Sequence, residues 1–529
     1  MVTKCPSMKP VLLKHAPPES RTHWLVQDFT ASLVVFLVAL PLCLGIAQTC
    51  ALAGDEHDQN RAAQVGIISG VVGGVLVGAL AGCPLQVTGP PAGLVVLVLA
   101  AKADLGLAGF GWACLVSGIF QLFTGLLRLG IVFRAISPAV IHGMLSGIGL
   151  LIAAGQFHVL LDHKPDPSGN GLRNILGMPE AILTAMIPSH EVSHDDAAIL
   201  GFITIGVIVL WDRLRPKALS LVPATLIALL IATTVATIGD FPVRRIQLEG
   251  SVSASLLWID WSSFREVDWR QVLTHGLAIG LVGSTISLLS ASGVDTMSRG
   301  KPSDNDRELI AQGIGNSLCG IAGLLPVTGA IVRSVANVQS GAKTRLSAIF
   351  HGFWLLATLM LVPWLLVMIP TGALASVLVY TGIRLMNFAF IKKMWKIDRW
   401  EFAIFMVTLT LTVVQDLLVG VAAGFGLAML RLLWKLTKLR VEMIAEDRAL
   451  VTGNATFLRL PVLHKFMAKL LKNGPKVSVD LTGVLHMDHA FADALLQWRQ
   501  RFRSAGKKMV WILPEGGFTH LAGDTVIEA

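Results

Sequence analysis

The stretch PLQVTGPPAGLVV, Pro84 to Val96, has a counterpart 240 residues later in LPVTGAIVRSV, Leu325 to Val335. Each places Val-Thr-Gly at the entrance to a short apolar run, and only the second adds a cation, Arg333. Proline and glycine around both entrances interrupt a helix there. The pair predicts two half-helices, each preceded by extended chain. Such chain is tolerated at membrane depth only where it lines a cavity in the protein.

A membrane setting follows from the composition. Of 529 residues, 53% are hydrophobic and 15% charged, with mean hydropathy +0.67, where a soluble domain carries about 25% charged residues. The net charge of +9 does not indicate nucleic acid, because Lys and Arg are dispersed between apolar runs instead of gathered in one basic patch. Cys5, Cys43, Cys50, Cys83, Cys114 and Cys319 show no CxxC spacing, which argues against a disulfide scaffold and a zinc site.

Counting apolar runs by their breaks gives fourteen segments, at about 29–48, 63–81, 87–103, 108–127, 135–157, 197–211, 218–238, 273–292, 308–325, 328–340, 346–369, 371–388, 401–415 and 416–434. Residues 1–27 read as a cytosolic tail before an uncleaved first span. The even-numbered connections carry Arg128 and Arg134; Arg213, Arg215 and Lys217; Arg299, Lys301 and Arg307; Lys343 and Arg345; and Arg384, Lys392, Lys393, Lys396 and Arg399. The first odd connection reads GDEHDQNR. That asymmetry places both termini in the cytosol. After about residue 441, KVSVDLTGV, ADALLQWRQRFRSAG and KKMVWILP alternate as strand, helix and strand, a small soluble α/β domain over 441–529.

If segments 1–7 and 8–14 are two repeats with an odd number of spans each, they have opposite topology, and their third members approach the midplane from opposite sides. Helix N-termini that face each other carry free N–H groups and partial positive charge, which suits an anion. Thr88 and Thr328 are expected near those ends, where a hydroxyl caps the helix or donates to a bound oxygen. Gly89 and Gly329 fit either close approach to a ligand or close helix packing. Arg333 has no carboxylate within one helical turn. It either snorkels to the surface or binds an anion, since an intramembrane cation costs about 2.5–3.5 kcal/mol to insert.

With ELIAQGIGNSLCGIAGLLPVTGAIVRSVANVQSGAKTRLSAIFHG, Glu308 to Gly352, the chain resembles the SulP family of inorganic anion transporters, bacterial relatives of the mammalian multifunctional anion exchangers and prestin. DFTASLVVFLVALPLCLGIA from Asp28 and PAVIHGMLSGIGLLI from Pro138 support the resemblance. It implies a polytopic α-helical membrane protein of the bacterial inner membrane. Its fourteen segments form a 7+7 inverted repeat with core and gate domains over 28–436, and a cytosolic STAS domain follows, usually in a homodimer. It also implies transport of sulfate, bicarbonate, chloride or dicarboxylates with no cofactor. By matching motif, the implied anion pocket comprises Leu42 and Ile46, then Thr88, Gly89, Pro90 and Pro91, with Ser287 from the eighth segment, then Thr328, Gly329, Ala330 and Arg333.

Three departures qualify the carry-over. Ile286 stands where cation-coupled relatives place Asp or Glu, so the obvious cation or proton ligand is missing, and Asp295 reads as a helix-end residue. Ser287 and Ser290 supply oxygens to the site or bond to carbonyls of their own helix. Asp488-His489-Ala490 replaces Asp-Ser-Ser in the STAS-like phrase, which removes a phosphorylatable serine; Asp488 reads as a helix cap in preference to a metal site at His486 and His489. The signature of eukaryotic sulfate transporters is absent, and LVALPLCLGIA and HMDHA resemble a subgroup often associated with, or fused to, carbonic anhydrase, which tilts the implied anion toward bicarbonate. His142 has no nucleophile or oxyanion donors beside it, so an enzyme is not the reading. A channel remains the rival, and substrate saturation distinguishes a carrier from it.

Overall fold

Backbone surrounded by hydrocarbon can bond only to itself, so the long apolar stretches are helical. The structure, a computed structural model, describes residues 21–528 apart from positions 53, 55, 132–136, 164, 166–170, 186–193, 217–218, 220–221, 249, 299–301, 416, 446, 473–475 and 514–525. Most of the expected tail, with Cys5, lies outside the described residues, as do Arg134, Lys217, Arg299 and Lys301. The chain divides into two compact units, Met1–Gly424 and Phe425–Ala529. That division falls inside the last long apolar helix, earlier than the expected change of character at residue 441.

The first unit contains α1 (Arg21–Cys50), α2 (Glu56–Val71, continued by a π-turn through Val77 to Leu80), α3 (Val95–Leu126), α4 (Pro138–Leu160), α5 (Gly171–Ala185), α6 (His194–Leu214) and α7 (Ala224–Ile238). It continues with α8 (Trp269–Met297), α9 (Asn305–Ile321), α10 (Ile331–Gln339), α11 (Leu346–Leu361), α12 (Thr371–Leu385), α13 (Phe388–Ile397) and α14 (Arg399–Val414), and α15 (Leu417–Leu436) crosses the unit boundary. Among the described residues, eight helical stretches are long and apolar enough to span a membrane, and Ala224–Ile238 and Leu346–Leu361 are shorter apolar helices. Gly106, at φ 65°, breaks α3 into two pieces, as the separate runs at about 87–103 and 108–127 predict.

Helix starts follow local chemistry. Asp268 accepts from the Arg270 and Gln271 amides ahead of α8, and Asp304 accepts from the Arg307 amide ahead of α9. Asp295 bonds the Ser303 amide and hydroxyl near the end of α8, in keeping with a helix-end role. Two helices begin earlier than expected: α1 at Arg21 instead of at about 29, within the expected tail, and α2 at Glu56, inside GDEHDQNR, instead of at 63; the second has a clear cause. The reason is burial of a charge cluster. Asp58 bonds Arg61 at 3.1 Å and Lys102 of α3 at 2.5 Å, and Arg61 also donates to the Ser255 and Gly323 carbonyls. Distant segments thus turn an acidic connection into the first turns of a helix.

Small residues let α3 and α9 approach closely. A Cβ on Gly118 would lie 2.7 Å from the Gly313 carbonyl oxygen, and one on Gly313 would lie 2.5 Å from the Leu122 amide nitrogen. The four buried membrane cysteines and Cys83 are free thiols.

In the second unit, β3 (Leu439–Ala445) and β4 (Arg448–Ala455) form an antiparallel pair. β5 (Lys476–Met487), β6 (Lys508–Leu513) and β7 (Val526–Glu528) extend the sheet in parallel, in the order β3-β4-β5-β6-β7. The connections α16 (Leu460–Leu470) and α17 (His489–Ser504) are the crossovers that parallel pairing requires. Val479, Phe491, Phe502 and Trp511 are buried in its own core. Asp488 accepts from the Phe491 and Phe457 amides, so it caps α17 as its sequence position predicts.

Candidate functional site

Pro90, Pro91 and Pro326 withhold amide donors around the two Val-Thr-Gly phrases, and both phrases are extended. Thr88–Gly89 (β1) and Thr328–Gly329 (β2) pair antiparallel, with Thr88 opposite Gly329 and Gly89 opposite Thr328. The Ala330 amide donates to the Val87 carbonyl at 2.9 Å. Segments 240 residues apart are therefore partners in one small ladder.

Buried amides and hydroxyls hold the ladder. Asn316 of α9 accepts from the Val327 amide at 2.6 Å, donates to the Val327 carbonyl at 2.9 Å and donates to Gln121 Oε1 at 2.7 Å. Ser334 Oγ accepts from the Val87 amide, and Asn337 donates to the Leu85 carbonyl. Such paired polar groups fix a single arrangement, because each would be costly to leave unpaired away from water.

Two side chains cross the ladder in opposite senses. A Cβ on Gly89 would collide with the Arg333 guanidinium, and a Cβ on Gly329 would collide with the Gln86 carboxamide. Each glycine thus admits a polar side chain from the opposite half of the chain. Arg333 is 1% exposed and donates through Nη2 to the Pro90 carbonyl at 3.1 Å. It does not snorkel to the surface. Among the described residues its Nε and Nη1 make no hydrogen bond by geometry, with the Cys43 thiol a neighbouring side chain, and neither do Gln86 Oε1, Thr328 Oγ1, Ser290 Oγ and Gln312 Oε1. Buried polar atoms lacking partners are uncommon in folded proteins, and here several belong to residues of the ladder or the helices around it.

Apart from Ser287, the sequence-predicted residues divide into three groups. Thr88, Gly89, Pro90, Thr328, Gly329 and Arg333 meet at the ladder. Leu42 and Ile46 of α1 are buried in the apolar cluster that holds Leu94 and Val95. Pro91 and Ala330 are the N-cap residues of the Ala92–Leu94 turn and of α10. The threonines do not cap these ends: neither cap has a side-chain bond, and Thr88 Oγ1 accepts from Gln312 Nε2 at 3.1 Å. The ladder draws the threonines ahead of the helices, so the caps fall two or three residues later.

Ser287 uses its hydroxyl oxygen as an acceptor. It accepts from the Gly329 amide at 3.1 Å, joining α8 to the ladder. Ile286 lies close to Gly93, where a Cβ would be 2.7 Å from Ile286 Cδ1, so this position packs apolar carbon against the first half-helix. Gln86, Gln121, Gln312 and Asn316 were not singled out in the sequence, although their signal is visible there as amides within apolar runs. Outside this site, His142 stacks on Phe390 with ring centroids 3.7 Å apart, a packing role.

A sequence model of the Sulfate permease family matches residues 25–408. The chain belongs to the sulfate permease family. Among curated relatives in the family is "Bicarbonate transporter BicA" of Synechocystis, 26% identical over 406 residues, covering 74% of this chain and 69% of that protein. The "Sodium-independent sulfate anion transporter" of Bos taurus is 23% identical over 533 residues, covering 94% and 85%. The solved transmembrane domain of a cyanobacterial BicA matches with a TM-score of 0.65 at 24% identity, covering 77% of this chain and 98% of that one. Murine Solute Carrier 26 family member A9, in the inward-facing state, matches with 0.73 at 15% identity, covering 95% and 87%. These likenesses establish the sulfate permease fold of a helical, multi-pass membrane transporter. They fit a protein that is not an enzyme.

Proposed function

We propose that this permease carries a small inorganic anion, bicarbonate or sulfate, by alternating access, with the anion held at the β1–β2 ladder and the helix ends that follow it. Arg333 is the observation that carries the reading: a buried guanidinium whose Nε and Nη1 make no hydrogen bond and which forms no ion pair with a carboxylate among the described residues. A buried cation without a carboxylate is costly unless an anion completes it. Arginine also matches a planar or tetrahedral oxyanion through its fork of N–H donors. Thr88, Thr328, Ser287 and the amides after Pro91 and Ala330 complete the proposed pocket, and Leu42 and Ile46 form its apolar wall.

The names of the relatives specify bicarbonate and sulfate, which supports an oxyanion substrate. The proposed architecture has fourteen spans in a 7+7 inverted repeat over 28–436, a cytosolic tail at 1–27, and a cytosolic STAS-like domain at 441–529. The setting proposed is a homodimer in the bacterial inner membrane with both termini cytosolic, in functional association with carbonic anhydrase. Ile286 in place of an acid favours transport without a cation gradient, and chloride exchange is compatible with it.

The test is uptake of labelled bicarbonate and labelled sulfate into liposomes holding the purified protein, with and without sodium or proton gradients. Saturable, gradient-independent uptake that Arg333→Ala abolishes supports the reading. Unchanged uptake by correctly inserted Arg333→Ala would move the site elsewhere.

A further inference from the structure

A second polar feature lies away from the ladder, among α1, α2, α3 and α4. A cavity of about 390 Å³ is lined by Thr49, Gln59, Val95, Leu99, Gln156 and Arg244, with further apolar and amide groups. An adjoining cavity of about 400 Å³ shares Thr49, Gln59, Gln156 and Arg244. Their charges differ. Glu56, Asp162 and Arg245 line only the adjoining cavity, whereas among the described residues Arg244 is the one charged residue lining the first. The described lining of the first cavity therefore carries a cation and no carboxylate.

Gln156 lines both cavities. It is 3% exposed, and among the described residues its Nε2 has no hydrogen-bond partner. Thr49 spends its hydroxyl proton on the Gly45 carbonyl, so the cavity's donors are chiefly the amides and Arg244. Arg244 is held only loosely: Nε is 3.4 Å from Asp162 Oδ1, and its side chain is 63% exposed. An exposed pair of this kind contributes little and leaves the guanidinium available to another anion. Val95, which also lines the first cavity, is the first residue of α3, directly after the turn that follows β1.

We infer that Arg244 and Gln156 form an anion-recruiting subsite, which binds a small inorganic oxyanion before it reaches the ladder. This rests on the transport reading, because the ion recruited is the ion carried. A guanidinium beside a cavity with low-dielectric walls raises the local anion concentration. The carboxamide N–H of Gln156 gives the ion a second, directional contact. Weak binding is appropriate at such a position, since a tightly held ion would not move on.

The experiment measures uptake of labelled sulfate and bicarbonate into liposomes by wild type, Arg244→Ala, Arg244→Lys, Gln156→Leu and Arg333→Ala. Arg244→Ala and Gln156→Leu raise the half-saturation concentration by about 3–10-fold, with a smaller effect on the maximal rate, while Arg244→Lys recovers part of the loss because a point charge is retained. An unchanged half-saturation concentration in Arg244→Ala overturns the subsite, and so does a lower maximal rate alone. Labelled-sulfate binding to the purified protein separates this failure from that of the transport reading. Two classes of site, the weaker lost in Arg244→Ala and the tighter in Arg333→Ala, support both. A single class, lost only in Arg333→Ala, refutes the subsite and leaves the ladder site standing.

Discussion

Replacing Gly73 with alanine tests whether the ladder's backbone position governs transport. Gly73 lies in the π-turn that prolongs α2, and an added Cβ would be 2.6 Å from the Thr88 carbonyl oxygen, 2.7 Å from its carbon and 3.0 Å from the Gly89 nitrogen. All three are backbone atoms, so no side chain can rotate away. Restoring ordinary contact at about 3.4 Å requires β1 to move by about 0.8 Å. Thr88 and Gly89 make the pairing with β2, and Gly89 is the surface on which Arg333 rests. Overpacking of this kind costs about 1–3 kcal/mol, and a misplacement near 1 Å lowers the rate of a positioned process by up to about 100-fold. Gly78→Ala is the control one and a half turns further on: its nearest contact, Ala348 Cβ at 3.4 Å, is ordinary. Thermal unfolding in detergent and the concentration dependence of uptake should show Gly73→Ala destabilised and at least 10-fold slower, with Gly78→Ala close to wild type. Wild-type uptake by Gly73→Ala would refute the dependence of transport on the ladder's position.

Three further outcomes are expected. Thr328→Val should raise the half-saturation concentration by about 3–10-fold without loss of insertion, since Thr328 Oγ1 is buried and has no protein partner; an unchanged value would make it a packing residue. Ile286→Glu should introduce dependence of uptake on sodium or pH, read by repeating the gradient experiments, and its absence would mean that residue 286 does not face the anion's surroundings. In the second unit, burial acts to raise the Asp480 carboxyl, but hydrogen bonds from Thr482 and Arg448 outweigh it and hold the group below its ordinary range. Its stabilising contribution is present above the unfolded value of about 3.9 and is lost as pH falls through the lower folded value. Hydrogen exchange at β5 and β6 should therefore be faster in Asp480→Asn than in wild type at neutral pH, and the difference should disappear in acid.

The helical membrane class was legible in the apolar runs, because hydrocarbon leaves each backbone to satisfy itself within its own helix. The break between the runs on either side of Gly106, the cap at Asp488 and the extended entrances at Val-Thr-Gly are likewise local properties of residue type and spacing. Arg333 was conspicuous for the same reason, as a charge in an apolar run.

Residues that act through distant partners were not readable in this way. Asp58 and Arg61 looked like part of an exposed connection until Lys102 and the Ser255 and Gly323 carbonyls enclosed them. Ser287 has the spacing of a serine that bonds to its own helix, yet its oxygen receives the Gly329 amide. The sequence alone determined that two Val-Thr-Gly entrances exist and that one carries a cation. Only the tertiary structure decided that they pair with each other, that Gln86 and Arg333 cross to opposite glycines, and that the threonines serve the ladder instead of the helix ends. Helix and cap are set by neighbours along the chain, whereas the ladder is set by contacts across 240 residues, whose register no local pattern encodes.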